Sequence, residues 1–444
     1  MQRATIAGML LASATRVGHP PLASSVMDGV AVADTATSMF EVNGLRVIVR
    51  RNTANDVIAS SLYLLGGARQ LTPATQGIEG FLLAASERGT THYPGEVVRQ
   101  QAARLGSSFV VAPSEDWTLF GFTAITSTFD STWAIFVDRL MAPTLDSSQV
   151  ELVRARLLSG VRQQTNQPEP LVNHIADSLE FVGHPYAFAP EGNEATLQSI
   201  TLEALRRYAA SQLVTTRMLL VVVGNVDRGK LQRLVQGSLA TLPRGSYAWS
   251  SPPPAPRLGR AISMRDAQLP TNYILGYFPG PSAQEPDYQA LRVTMAVLAG
   301  RFFTEIRSRR NLSYEVDAPF LERAVASAGV YVTTVDPNAT LQLMRGEITR
   351  LQTELIEPSG LERLIRQFIT EYFLKNETNG DQATFLARAA IYRGDYRAAS
   401  QFVDDLRHVR PEDVRRVARQ YMHDFRFAYI GARDKLSPDL LNRF

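Results

Sequence analysis

Two stretches far apart in the chain carry the same order of apolar and polar positions. In "TLEALRRYAASQLVTTRMLLVVVGNVDRGKLQRLV", residues 201–235, Leu202, Leu205, Tyr208 and Ala209 fall on one face of a helix, and Thr201 precedes them as an N-cap. The run "MLLVVVG" then reads as a buried strand, and Asp227 as the cap of the next helix. Near the end of the chain "RPEDVRRVARQYMHDFRFAYIGARD" repeats the order: a helix, a strand ending at Gly431 and a polar turn. Arg206 and Arg207 fall opposite Arg415 and Arg416 in this alignment. Repetition on this scale predicts two homologous halves. Each half also opens on strand-like runs, "FEVNGLRVIVRRN" and "VIASSLYLLGG" in the first and "NYILGYFPG" in the second. Asn43-Gly44 tolerates the positive φ of a tight turn between two of them. The pattern predicts an α+β fold, each half an antiparallel sheet with helices packed on one face. Residues 242–260, "LPRGSYAWSSPPPAPRLGR", are too rich in proline for a helix interior and read as a linker. The expected organisation is a leader over 1–35, a first domain over 36–241, that linker, and a second domain over 261–444.

Composition narrows the function classes. With 444 residues, 45% hydrophobic and 20% charged, the chain is long enough for two sound cores. A net charge of +3, with both signs interspersed, provides no basic stripe for nucleic acid. The absence of cysteine removes disulfides, thiolate metal sites and a cysteine nucleophile. In "MQRATIAGMLLASATRVGHP", Arg3 precedes a weakly apolar run from Ala4 to Ala14, which reads as a diluted signal-peptide core and an extracytoplasmic, periplasmic location. An unstructured cytoplasmic leader is the alternative. No later stretch reaches the roughly 20 apolar residues of a membrane span.

Candidate chemistry centres on an absence. A helical zinc site needs two His on one face with an acid beside them, and the six His here (His19, His92, His174, His184, His408 and His423) show no such spacing. Glu79 and Glu87 stand too far apart on a helix to converge on one ion, and read as solvated. Yet "GIEGFLLAASERGT", residues 77–90, resembles the zinc helix of the M16 metallopeptidases, the pitrilysin, insulinase and mitochondrial processing peptidase group. Aligned on Gly77, Phe81, Leu82 and Gly89-Thr90, that resemblance puts the first ligand position at Gly80, the general base at Leu83 and the second ligand at Ala84. Matching the family's later Glu-Ile pair to Gly160-Val161 puts the third ligand position at Gly160. None of these positions holds a metal donor. The likeness runs from about Phe40 to Phe444 and includes "GHPY" followed by "PEGNEATLQSIT", where His184 reads as structural. The family's substrate-edge strand matches the segment from Ser114 to Phe120, where Asp116 and Trp117 read as a strand cap and core filler.

In the second half, "GRFFTEIRSRRNLSYEV" resembles the family segment that carries an Arg and a Tyr seven residues apart, here Arg307 and Tyr314. The resemblance implies that these two face a zinc site from the opposite half, hold the substrate and stabilise the oxyanion, tasks that suit an always-charged guanidinium and a phenol donor. Arg309 and Arg310 read as solvated or as rim contacts. The expectation is an inactive subunit of a heteromeric zinc peptidase. Its partner would carry the intact His-x-x-Glu-His motif and the zinc, and its substrate would be an unfolded peptide. A structural assembly protein and a peptide-binding homodimer are the alternatives.

Overall fold

Asn43 and Gly44 take φ of 49° and 84° and turn the chain from β1 (Thr37–Val42) into β2 (Leu45–Arg51). The computed structural model describes residues 36–444, so the leader lies outside the described residues. Four more strands complete the first sheet: β3 (Val57–Leu65), β4 (Ser108–Pro113), β5 (Trp117–Ile125) and β6 (Met218–Gly224), in the order β1-β2-β6-β3-β5-β4. The second sheet comprises β7 (Ala261–Asp266), β8 (Asn272–Ser282), β9 (Ser313–Asp317), β10 (Phe320–Leu321), β11 (Val325–Thr334) and β12 (Arg426–Gly431). Its order is β10-β11-β8-β12-β7, with β9 also paired to β11.

The two sheets share one connectivity. In the first, the late strand β6 enters between β2, which it meets parallel, and β3, which it meets antiparallel. In the second, β12 enters between β7, parallel, and β8, antiparallel. Thr201 and Asp227 cap helices Leu202–Gln212 and Arg228–Gln236, accepting from Ala204 N and Lys230 N. Between the sheets, residues 243–260 hold no helix or strand.

Each sheet is covered on both faces, where the residue pattern predicts helices on one. Along β2, β3 and β6 the side chains alternate. Val47, Val49, Leu62, Leu64, Leu220 and Val222 join a core with Phe129, Trp133 and Phe136 of helix Phe129–Met141, while Ile48, Tyr63, Leu65, Leu219, Val221 and Val223 point the other way. That second face is covered by Ala383, Leu386, Ala387, Ala390 and Ile391 of helix Asn379–Tyr392, which follows the second sheet's strand β11 in sequence. Reciprocally, Leu171, Val172 and Ala176 of helix Pro168–Glu180 pack on Leu275, Tyr277, Tyr331, Ala428 and Ile430 of the second sheet. Each half thus lends a helix to the other's sheet. Leu386 and Ile391, both almost fully buried, contribute about 1.5–3 kcal/mol each to this contact.

Candidate functional site

Helix Ile78–Ala85 starts at Gly77, whose φ of 84° and whose approach to the Glu191 carbonyl, 2.7 Å from where a Cβ would stand, admit only glycine. All eight residues of the helix are buried. A Cβ on Gly80 would stand 2.7 Å from Pro113 Cγ, so Pro113 at the end of β4 occupies the space of any side chain there. Leu83, 1% exposed, belongs to the core between the first sheet and helix Phe129–Met141, with Phe120, Phe136 and Leu140. Ala84 packs among Leu71, Val153 and Leu205. Gly160, on helix Ser147–Asn166, is different: it is exposed, and no atom lies within 4 Å of a Cβ placed there. Three of these positions are therefore plugged by packing and the fourth is open. The residues do not fit a zinc ion, and among the described residues no three His, Cys, Asp or Glu side chains converge in a way that would hold a metal.

Glu79 corrects the solvated reading. Only 3% exposed, it accepts from Arg217 Nη1 at 2.6 Å and from the Tyr208 hydroxyl at 3.0 Å. Arg217 in turn donates through Nε to the Leu65 carbonyl at 2.7 Å. Burial opposes the Arg217 charge, but Glu79 together with Tyr208 and Tyr247 outweighs it and holds the guanidinium above its ordinary pKa. This ion pair ties the degenerate helix to β3 and to the residue before β6. Glu87, by contrast, is partly exposed, 3.8 Å from Arg156.

The segment from Ser114 to Phe120 is not an edge. It turns from β4 into β5, which lies between β3 and β4, and the edge strand is β4 itself, Ser108–Pro113. Asp116 sits at the turn, 1% exposed, and accepts from three donors: the Tyr186 hydroxyl (2.6 Å), the Tyr392 hydroxyl (2.9 Å) and Ala324 N (2.9 Å). Tyr392 and Ala324 come from the second half, so this carboxyl is a bolt between halves. Trp117 stacks edge-on against Tyr63 and at a tilt against Tyr392. His184 donates from Nε2 to the Pro253 carbonyl at 2.9 Å while Nδ1 accepts from Tyr186 N, which fixes its tautomer and pins residue 253 of the connecting stretch.

Beside this bolt, Arg323 reaches Glu115 at 2.6 Å and Asp177 at 3.2 Å and lies over the Phe181 and Tyr186 rings. Glu180, buried next to it, has its carboxyl pushed up to about 8 by burial, against the pull of Arg323. A carboxyl neutral in the fold but ionised above about pH 4.5 in the unfolded chain stabilises fully below that pH, and its contribution is lost as pH rises to about 8. Glu180→Gln is accordingly expected to match the parent Tm near pH 4.5 and to exceed it at pH 8, by about 1 °C for each kcal/mol retained in a cooperative unit of this size. Parallel melting curves that never diverge across this window would refute the assignment.

Arg307 and Tyr314 are brought together. Helix Asp287–Phe302 continues into a π-helical turn, Phe303–Ser308, a distortion that often marks a functional position, and Arg307 lies within it. The Arg307 guanidinium lies 5.2 Å from the centroid of the Tyr314 ring and 5.3 Å from that of Phe303. Tyr314, on β9, is 83% exposed. The Glu315 carboxyl is raised by burial and by Glu169 and Asp317, with Arg307 pulling it back. Arg309 and Arg310 both pair with Glu305, Arg310 at 2.6 Å.

The description "Insulinase (Peptidase family M16)" matches residues 46–185, and "Peptidase M16 inactive domain" matches residues 199–368. The chain belongs to the M16 peptidase family. Its similarity to human cytochrome b-c1 complex subunit 1, mitochondrial, is 24% identity over 270 residues, 60% of this chain but only 56% of that relative. The M16 chain is also 22% identical over 408 residues to the mitochondrial-processing peptidase subunit beta of Lentinula edodes, covering 87% of each. A crystal structure of a peptidase M16 inactive domain from Pseudomonas fluorescens superposes with a TM-score of 0.80 at 18% identity, over 89% of this chain and 98% of that one. The stretch matched to the insulinase description includes the buried helix Ile78–Ala85. Pro113, Glu79 with Arg217, and Asp116 as a cross-half bolt escape sequence inspection, because each pairing spans residues with no fixed spacing.

Proposed function

We propose that this chain is the non-catalytic subunit of a heteromeric M16 zinc peptidase. A partner with an intact His-x-x-Glu-His helix would supply the zinc, and this chain would supply Arg307 and Tyr314 to the shared site. The observation that carries the reading is the contrast between two places. Gly80, Leu83 and Ala84 are closed off by Pro113 and by core packing, while Tyr314 stands exposed with Arg307 stacked against it. A guanidinium and a phenol presented together suit a peptide carbonyl that gains negative charge. The substrate would be an unfolded peptide, and the leader favours an extracytoplasmic site of action.

The test measures peptide hydrolysis and bound zinc on the same samples, for this chain, for a candidate partner and for the mixture. Only the mixture is expected to cleave. Arg307→Ala and Tyr314→Phe are each expected to lower its kcat about 10- to 100-fold, the worth of one charge-assisted hydrogen bond, with zinc content unchanged. Equal cleavage by the partner alone, or full activity in both variants, would defeat the reading. The second reading, an assembly scaffold, is favoured by the similarity to a cytochrome b-c1 subunit. It predicts a complex that forms normally and does not respond to either substitution.

A further inference from the structure

The duplicated connectivity gives β7 a counterpart, and the two differ in what covers them. β2 and β7 both lie parallel to the late strand of their sheet, β6 and β12. On its outer side β2 is paired over its length with β1, from Thr37↔Arg50 to Val42↔Leu45. The second sheet ends at β7. Among the described residues, the backbone of β7 pairs with β12 alone. The strand pairs with β12 in unbroken register and contains no proline, lysine or bulge, and its two charged residues, Arg265 and Asp266, stand at its end.

We propose that the outer edge of β7 pairs antiparallel with β7 of a second copy of this chain, in a register centred on Ser263. The sequence is self-complementary in that register. Ser263 opposes its own copy, Ile262 opposes Met264, Ala261 opposes Arg265, and Arg260 opposes Asp266, with the last three pairs formed twice. Ile262 and Met264 are partly buried against the second core, so the pairing extends an apolar face that already exists. Arg260 and Asp266 are exposed, with Arg260 reaching the Phe444 carbonyl and Asp266 accepting from Arg433 N. A shift of one residue would put opposite faces of the strands together, and a shift of the centre to Met264 would oppose Ile262 with Asp266. β7 lies at the far end of the strand order from β9 and β11, so a second copy there leaves Tyr314 uncovered. The proposal is independent of any catalytic partner.

The chain has no cysteine, so Ser263→Cys installs a single thiol. Directly opposed residues hold their Cβ atoms about 4.5–5.5 Å apart, within a small movement of disulfide distance. The full chain carrying Ser263→Cys is expected to oxidise to a covalent dimer. Arg265→Cys alone should not, whereas a mixture of Ala261→Cys and Arg265→Cys chains should cross-link to each other. In sedimentation of the parent, Arg260→Glu or Asp266→Lys should each weaken dimerisation about 2- to 30-fold, and the double reversal should restore it. A chain that sediments as a monomer at every concentration overturns the proposal and leaves the edge to residues 1–35 or to a different partner. Equal cross-linking by all three single-cysteine chains, the mark of random collision, overturns it as well.

Discussion

Glu79→Ala is expected to destabilise the protein by about 3–5 kcal/mol, because it leaves Arg217, 1% exposed, as an uncompensated buried charge. The Tyr208 hydroxyl loses its acceptor in the same step. The loss should appear as a lowered denaturant midpoint with an unchanged slope. A double variant that also replaces Arg217 with Met should recover much of it, since an apolar pair of similar volume avoids the desolvation of both charges. If Glu79→Ala unfolds at the parent's midpoint, the ion pair is not what anchors this helix.

Rebuilding the zinc motif should fail, and for reasons of packing. Gly80→His, Leu83→Glu and Ala84→His together would drive an imidazole into Pro113 and place a carboxylate where Leu83 now lies among Phe120, Phe136 and Leu140. Overpacking costs about 1–3 kcal/mol, and an unpaired buried carboxylate costs several more. The triple variant is expected to accumulate as unfolded or aggregated protein with no stoichiometric zinc. Gly160→Glu is the control. Its site is open, and replacing a helical glycine should be neutral or gain up to about 1 kcal/mol. A folded triple variant that binds one zinc with the parent's Tm would show that the site was merely vacated and not rebuilt.

The parts of this structure that rest on local pattern were legible in the sequence. Thr201 and Asp227 cap the helices they were assigned, Asn43-Gly44 makes its turn, and the two helix–strand pairs that point to a duplication occupy equivalent places in the two sheets. What escaped depends on distant partners. Glu79 looks like any charged helical residue until Arg217, across many intervening elements, comes beside it. The edge strand was placed a few residues late because β4 and β5 are equally apolar and only their pairing separates them. That helix Pro168–Glu180 belongs to the other half's sheet left no trace in its periodicity, which reports that a face is buried and not against what.

That exchange of helices makes ancestry and mechanics disagree. Cutting the chain between the halves would leave each without the cover for one broad apolar face, so neither half is a natural unit for separate production. Nicking the proline-rich connection in the intact protein would release nothing. The duplication survives as two copies of a blueprint, but the copies are interlaced at two places, so heat or denaturant is expected to meet a single object.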